Sequence, residues 1–189
     1  AIRAPSYDNA QPWAFTILGG KALNDLKEAS QEQFLAGEKP HPDFPLETFT
    51  GVYRSRQVEL AKSLFQLMYI AREDKGKRIE WILKMVRFFD APNAMVITID
   101  KRLSNPYLML SLGTISQNIA LAAVNFGLGT CLDVAAIMYP EVIRQITGIP
   151  ESQKIAIGIA IGYPDWSFPA NKLESTREPV DNIATWQGV

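Results

Sequence analysis

The sequence is short of the residues that build metal centres and disulfides. Its 189 residues include one cysteine, Cys131, and one histidine, His41. A single cysteine excludes an intramolecular disulfide and is typical of a reducing cytoplasm. One histidine and one cysteine are also too few for a zinc site built by the protein. His41 stands between two prolines in a predicted loop, and we interpret it as solvated, with no acid partner beside it.

The chain also lacks an excess of basic charge. It carries 19 Lys and Arg against 20 Asp and Glu, a net charge of −1, so neither nucleic acid nor a membrane surface is an expected partner. The two most apolar stretches, 108–128 and 155–161, are broken by Ser, Gln, Asn and Gly. They predict a buried helix and a buried strand rather than a membrane span. With no signal peptide predicted at its start, we expect a cytoplasmic protein.

What is present is a mixture of helical and strand periodicities. Strands are predicted at 14–18, 94–99 and 154–162, and helices at 21–28, 56–72, 78–88, 108–126 and from 140 to about 148. With 47% hydrophobic residues, this length suits one globular domain. The longest helix has small residues at steps of three and four, which predict a face for close approach of a second copy in a dimer. They are Gly113, Ser116, Ala120, Ala123 and Gly127.

The segment from Pro5 to Trp13 concentrates hydrogen-bonding side chains in a short stretch that ends in a strand. Its two prolines each restrict the residue before them to extended backbone, so the segment is predicted to be an irregular loop. Asn9 and Gln11 each offer two donors and an acceptor, which suits the edge of a polar heterocycle or a polyol chain. The alternative is an ordinary polar loop in which Trp13 anchors the core.

Four segments in chain order resemble the FMN-dependent nitroreductase family, in particular its nitrobenzoate branch. They are Ala4-Pro5-Ser6 with Asn9-x-Gln11-Pro12-Trp13, Phe88-Phe89-Asp90-Ala91-Pro92, the run from Asn118 through Ala122-Ala123 to Gly127-Leu128-Gly129-Thr130-Cys131, and Ser175-x-Arg177-x-Pro179. The resemblance implies an α+β fold, with a mixed, mostly antiparallel sheet flanked by helices, in an intertwined homodimer with FMN at the interface. It also implies an oxidoreductase in which FMN accepts hydride from NAD(P)H and reduces a nitroaromatic, a quinone or a similar small aromatic acceptor.

The resemblance also implies a set of cofactor-binding residues. These are Pro5, Ser6, Tyr7, Asn9 and Gln11 in the first loop, Arg87 near the flavin pyrimidine, a backbone N–H among Leu132, Val134, Ala135 and Ala136 facing N5, and Ser175 with Arg177 at the phosphate. No side chain need act as general acid, nucleophile or metal ligand, because the flavin carries the chemistry. Arg87 has a simpler interpretation as a cation at a helix C-terminus. Cys131 is interpreted as a buried, inert thiol.

Residues 1–189 are therefore expected to form a single nitroreductase-like domain that is incomplete at its N-terminus, because Ala1–Arg3 resembles the last turn of a helix. Residues 37–88 are the expected variable cap or substrate region. Trp186 in the C-terminal tail is expected to pack on the partner subunit. The alternative function is a non-catalytic or weakly flavin-binding dimer that retains the fold.

Overall fold

The computed structural model describes residues 1–188, which form a four-stranded sheet flanked by helices. The strands are Trp13–Gly19 (β1), Asn93–Asp100 (β2), Gly129–Asp133 (β3) and Gln153–Gly162 (β4), in the order β1-β2-β4-β3. The helices are Gly20–Leu35 (α1), Gly51–Leu67 (α2), Lys75–Val86 (α3), Pro106–Asn125 (α4), Pro140–Thr147 (α5) and Val180–Ile183 (α6).

The expected α+β class is confirmed, and the sheet differs from expectation in one respect. All three strand pairings are antiparallel, so these four strands contain no parallel pair and the sheet is not mixed. Strand β3 was not predicted, because its residues do not alternate between apolar and polar side chains and its place in the sheet depends on pairing with β4. Helix α1 continues to Leu35 because no proline or glycine interrupts it after Gly20.

The two faces of the sheet pack against different helices. Buried side chains of α1, α5 and the turn at 135–137 cover the face that carries Ala94, Val96 and Ala160. Leu108 and Leu112 of α4 cover the opposite face. A register shift between Ile97 and Thr98 of β2 lets Ile155 and Ile159 of β4 reach opposite faces.

Gly158 in the middle of β4 makes room for a buried aromatic ring. A Cβ atom at this position would lie 2.8 Å from Phe88 Cε1 and 3.1 Å from the Asp133 carbonyl oxygen. Phe88 is fully buried, and it begins a turn whose three residues, 88–90, all have φ between 52° and 59°. The glycine therefore lets a left-handed turn dock directly on the sheet.

Helix α4 has one buried face and one exposed apolar face. The small residues lie along one side of the helix, as predicted, at the border of the buried face: Ser116 and Ala123 are buried, whereas Gly113 is exposed. The outward positions include large apolar side chains, namely Leu110, Leu121 and Val124. By length and composition α4 could also cross a membrane, a test that core helices of soluble proteins pass too.

The loop between α1 and α2 is held to α5 and β4 by charged groups. Asp43 Oδ2 accepts hydrogen bonds from Arg144 Nη2 and from the Ile155 N–H, each at 2.6 Å. His41 binds the Lys39 carbonyl through Nδ1 and pairs through Nε2 with the carboxylate of Glu141; the Lys39 carbonyl first, and Glu141 after it, raise the pKa of His41. The prediction that His41 has no acid partner was therefore wrong, because folding brings α5 to the loop.

Contacts divide the chain into two compact units. The first comprises 1–47 and 75–164, and the second comprises 48–74 and 165–189. Within the second unit, Arg56 Nη2 pairs with Glu178 Oε1 at 2.8 Å, although α2 has no buried residue. The expectations of one domain over 1–189 and of a variable region at 37–88 remain predictions.

Candidate functional site

The N-terminal loop is a compact turn with unusual backbone angles. Asp8, Asn9 and Gln11 have φ of 47°, 55° and 46°, in the left-handed region that non-glycine residues seldom occupy. The Gln11 N–H donates to Ser6 Oγ at 3.1 Å, and Gln11 Nε2 donates to Asn9 Oδ1 at 3.3 Å. The polar side chains predicted to bind a ligand therefore hold the loop in shape.

The loop docks on the first turns of α4. The Tyr7 N–H donates to Ser111 Oγ at 3.0 Å, and Thr114 Oγ1 donates to the Pro5 carbonyl at 2.8 Å. The rings of Tyr7 and Tyr107 stack with centroids 5.4 Å apart and planes at 22°. A pocket of about 180 Å³ opens here, lined by Pro5, Ser6, Tyr7, Tyr107, Leu110, Ser111 and Thr114.

Sequence reasoning missed the α4 side of this pocket. Tyr107, Ser111 and Thr114 follow one another at steps of four and three, which puts them on one helix face. That spacing was available in the sequence. It could not indicate a binding surface until the partner of this face was known.

The segment 132–136 lies at the opposite edge of the sheet. Among residues 1–188 strand β3 pairs only with β4, so its other edge carries backbone groups that pair with no other strand. Leu132 is 49% exposed and Val134 is 41% exposed, whereas Ala136 is buried. An open backbone edge flanked by two exposed apolar side chains is a surface that fits a flat, partly polar ring such as a flavin.

Asp133 lies between these two exposed side chains and is itself buried. Its Oδ1 accepts a hydrogen bond from the Ala136 N–H at 3.2 Å, and the Ala135 N–H also donates to the carboxylate. Its Oδ2 is buried without a hydrogen-bond partner among the described residues. Burial raises the pKa of Asp133 to about 6 against the opposing effect of the two amides.

Cys131 is exposed on β3, so the prediction of a buried thiol was wrong. The strand stands at the sheet edge, which leaves one of its sides uncovered. Loss of solvation and the nearby Asp133 carboxylate raise the pKa of the thiol to about 11. The group is therefore protonated at neutral pH and remains a poor nucleophile.

Arg87 follows α3, and its guanidinium is held by neighbours in the first unit. Nε donates to Asp90 Oδ1 at 2.8 Å, and Nη1 donates to Gln31 Oε1 at 2.5 Å. The hydrogen bond from Arg87 lowers the pKa of Asp90. The position at the end of α3 agrees with the helix-terminal alternative, and the predicted role beside a flavin stays a prediction.

Ser175 and Arg177 lie together in the second unit. Arg177 Nη1 donates to Ser175 Oγ at 2.7 Å and to the Thr176 carbonyl at 2.9 Å. Both residues are exposed. The hydroxyl and guanidinium predicted to bind a phosphate are therefore adjacent and accessible.

The predicted residues thus form separate groups in one chain. The loop at 5–11 leads into β1 at one edge of the sheet, and the segment 132–136 ends β3 at the other edge. Two strands lie between these edges, a separation of about 14 Å at the usual strand spacing. One chain does not bring the two groups to the same edge of its sheet.

The family of the chain follows from comparison with known proteins. The sequence model of the nitroreductase family matches residues 1–163. This chain belongs to the nitroreductase family.

Relatives and solved structures resemble the chain over nearly its whole length. It is 30% identical to the nitrobenzene nitroreductase of Ectopseudomonas oleovorans, covering 97% of this chain and 82% of that protein. It is also 30% identical to the 4-nitrobenzoate reductase of Pseudomonas putida, covering 98% and 81%. The crystal structure of the FMN and NADPH-dependent nitroreductase NfnB from "sphigopyxis sp. strain HMH" superposes with a TM-score of 0.93 at 28% identity, covering 99% and 85%.

Proposed function

We propose that this chain is an FMN-dependent oxidoreductase that uses NAD(P)H to reduce nitroaromatic compounds, quinones or similar acceptors, as a homodimer in the cytoplasm. The observation that carries the proposal is the TM-score of 0.93 over 99% of the chain with an FMN and NADPH-dependent nitroreductase. The two curated relatives named for nitrobenzene and 4-nitrobenzoate support an aromatic acceptor.

Each group of the site has a proposed role toward FMN. When bound, FMN supplies the hydride-accepting chemistry that this set of side chains does not provide. The 132–136 edge offers the ring an apolar support and a backbone N–H, while Ser175 and Arg177 offer hydrogen bonds and charge to the phosphate. Pro5, Ser6, Tyr7, Asn9 and Gln11 shape the pocket over the ring, and Arg87 supplies a cation nearby.

The Val134 N–H is the proposed donor to flavin N5. The Ala135 and Ala136 N–H groups already donate to the Asp133 carboxylate. The Val134 N–H, just beyond β3, donates to no other described residue. Its side chain is 41% exposed, so a ligand can reach this backbone position.

A proline at position 134 tests this assignment. Val134 has φ of −78°, close to the angle that proline imposes, so the substitution removes the N–H at small backbone cost. We expect Val134→Pro to weaken FMN binding about tenfold, the value of one net hydrogen bond, as measured by flavin fluorescence titration. Val134→Ala keeps the N–H and should bind FMN with near wild-type affinity. Equal affinities in the two variants would contradict the assignment.

The absorbance spectrum of the purified protein tests the function itself. We expect visible flavin bands that bleach on addition of NADH or NADPH and return on addition of a nitroaromatic compound. A protein that stays colourless after incubation with FMN would overturn the proposal. Bound FMN that no reduced nicotinamide bleaches would instead support the non-catalytic alternative.

The exposed face of α4 supports the homodimer. Leu110, Leu121 and Val124 are each at least 60% exposed and follow one side of the helix. An apolar stripe of this kind usually marks an interface. In the second unit Trp166, Ile183 and Trp186 are also exposed, which is consistent with an arm that packs on a second copy. A second copy can supply the loop at 5–11 to the 132–136 edge.

Charge placed on this stripe tests the dimer. We expect Leu121→Asp to convert the dimer to monomer in sedimentation equilibrium and to lower FMN retention with it, because a carboxylate in an apolar interface must be desolvated. Leu103→Asp makes the same change at an exposed leucine in the loop before α4 and should leave a dimer. A Leu121→Asp variant that remains dimeric would exclude α4 as the interface.

A further inference from the structure

Asp133 is a buried acid that the hydride chemistry does not use. It is 5% exposed, and its Oδ2 has no hydrogen-bond partner among the described residues. Its Oδ1 binds the Ala136 N–H at 3.2 Å. A leucine or valine would fill such a position without the cost of burying a carboxylate.

Among the described residues, no cation offsets the burial that raises the pKa of Asp133. Cys131 on the same strand is neutral, and α4 carries no charged side chain. On β4 the charged residue is Lys154, which pairs with Ile99 at the far end of the sheet. Asp90 in the turn at 88–90 is bound to Arg87. Burial dominates the pKa of Asp133, and the charged groups of α3 do not offset it. These groups are Lys75, Lys77, Arg78, Glu80 and Lys84.

The carboxylate fixes the segment that would face the flavin. By binding the Ala135 and Ala136 N–H groups it caps the turn at 135–137, whereas the preceding N–H, that of Val134, has no acceptor among the described residues. Leu132 and Val134, the residues on either side of Asp133, are exposed. Asp133 is therefore the chain neighbour of Leu132 and Val134, the two residues that are predicted to contact the flavin ring.

We propose that Asp133 is a positioning residue of the flavin site that also takes up a proton when the flavin is reduced. This inference rests on the proposed function. Hydride transfer from NAD(P)H gives the flavin two electrons and one proton, and adds one negative charge to the site. A proton from solvent then binds the free Oδ2 of Asp133, which neutralises its carboxylate and restores the net charge. NAD(P)⁺ is the oxidised product.

The direct test is the midpoint potential of the bound FMN as a function of pH, measured on the holoprotein from well below to well above pH 6, where Asp133 titrates. For the wild type we expect a steeper slope above pH 6, because reduction raises the pKa of Asp133 and brings in an extra proton. Asp133→Asn should lack the steep region. Its potential should exceed that of the wild type at high pH and match it at low pH, where Asp133 is already neutral.

Two further variants distinguish the negative charge of Asp133 from its role as hydrogen-bond acceptor for the turn. Asp133→Leu removes the acceptor of both amides and should weaken FMN binding about tenfold, whereas Asp133→Asn keeps an acceptor and should bind normally. Asp100→Asn, a matched change at an acid whose pKa lies near 2, should keep the wild-type slope. Carbon-13 NMR of the aspartate carboxyls, assigned with Asp133→Asn, should show the pKa of Asp133 rise when the holoprotein is reduced.

The outcomes distinguish this inference from the proposed function. Bound FMN with the same potential and pH slope in Asp133→Asn as in the wild type overturns the inference and leaves the function intact. A carboxyl pKa that does not change on reduction overturns it in the same way. A chain that binds no FMN overturns both.

Discussion

Arg144→Ala is expected to lower the free energy of unfolding by about 3–5 kcal/mol, because it leaves a largely buried carboxylate without its cation. Arg144 and Asp43 pair at 2.6 Å with side-chain exposures of 11% and 16%. Arg144 Nη2 also donates to the Gln153 carbonyl at 2.9 Å. The variant therefore loses two contacts that fasten the 36–50 loop and β4 to α5. Urea denaturation monitored by tryptophan fluorescence would measure the change.

Glu151→Ala is the matched control for this ion pair. Glu151 lies 3.7 Å from Nε of the same arginine, but its side chain is 83% exposed. Exposed pairs contribute about 0–1 kcal/mol, so this variant should unfold at nearly the wild-type urea concentration. Similar losses in the two variants would mean that burial does not govern the contribution of Arg144.

Asp133→Asn is expected to change the pH dependence of stability. The folded pKa of Asp133 is about 6, whereas an unfolded aspartate titrates near pH 4. Between these values the folded state holds more protons, so the free energy of unfolding of the wild type falls as pH rises through this range. A shift of about two units corresponds to about 3 kcal/mol. The stability of the variant relative to the wild type should therefore increase by about that amount from pH 4 to pH 7.

Urea titrations at a series of pH values would measure this difference. Asp100→Asn is the control of opposite sign, since Arg102 lowers the pKa of Asp100 to about 2. The ionised Asp100 carboxylate stabilises the folded state at neutral pH, and this contribution is lost as pH falls. The stability of Asp100→Asn relative to the wild type should therefore decrease as pH rises from about 2 to about 4. A flat difference curve for Asp133→Asn would show that burial does not raise the pKa of Asp133.

The sequence predicted the helices and strands that have a local residue pattern. It did not predict features that depend on contacts with distant parts of the chain. Strand β4 was recognised from isoleucines alternating with small residues, and α4 from its length and apolar character. Strand β3 was missed because its role as an edge strand is defined by its pairing with β4. The small residues of α4 were assigned to one face, although spacing alone does not say which positions meet the sheet.

The same distinction applies to the site. The loop at 5–11 and the segment 132–136 could both be proposed as cofactor-binding, because the resemblance rests on residues that are contiguous in the chain, and both assignments stay predictions. The loop docks on Ser111 and Thr114, which lie more than 100 residues further along the chain. No local signal in the sequence connects these two residues with Tyr7 or Pro5. The burial of Asp133 was also not predicted, since burial of an acid is a property of the fold.

The second compact unit has a consequence for synthesis of the chain on the ribosome. Its first segment, 48–74, is translated before residues 75–164, while its other segment begins at Asp165. Helix α2 has no buried residue, and its Arg56 cannot form an ion pair with Glu178 until Glu178 has been synthesised. At ordinary elongation rates this delay lasts roughly 5–20 s. Throughout that time Val58, Leu64 and Phe65, which are half-buried in the folded chain, lack the C-terminal segment of their unit, so the nascent chain offers chaperones apolar side chains of α2 until that segment emerges.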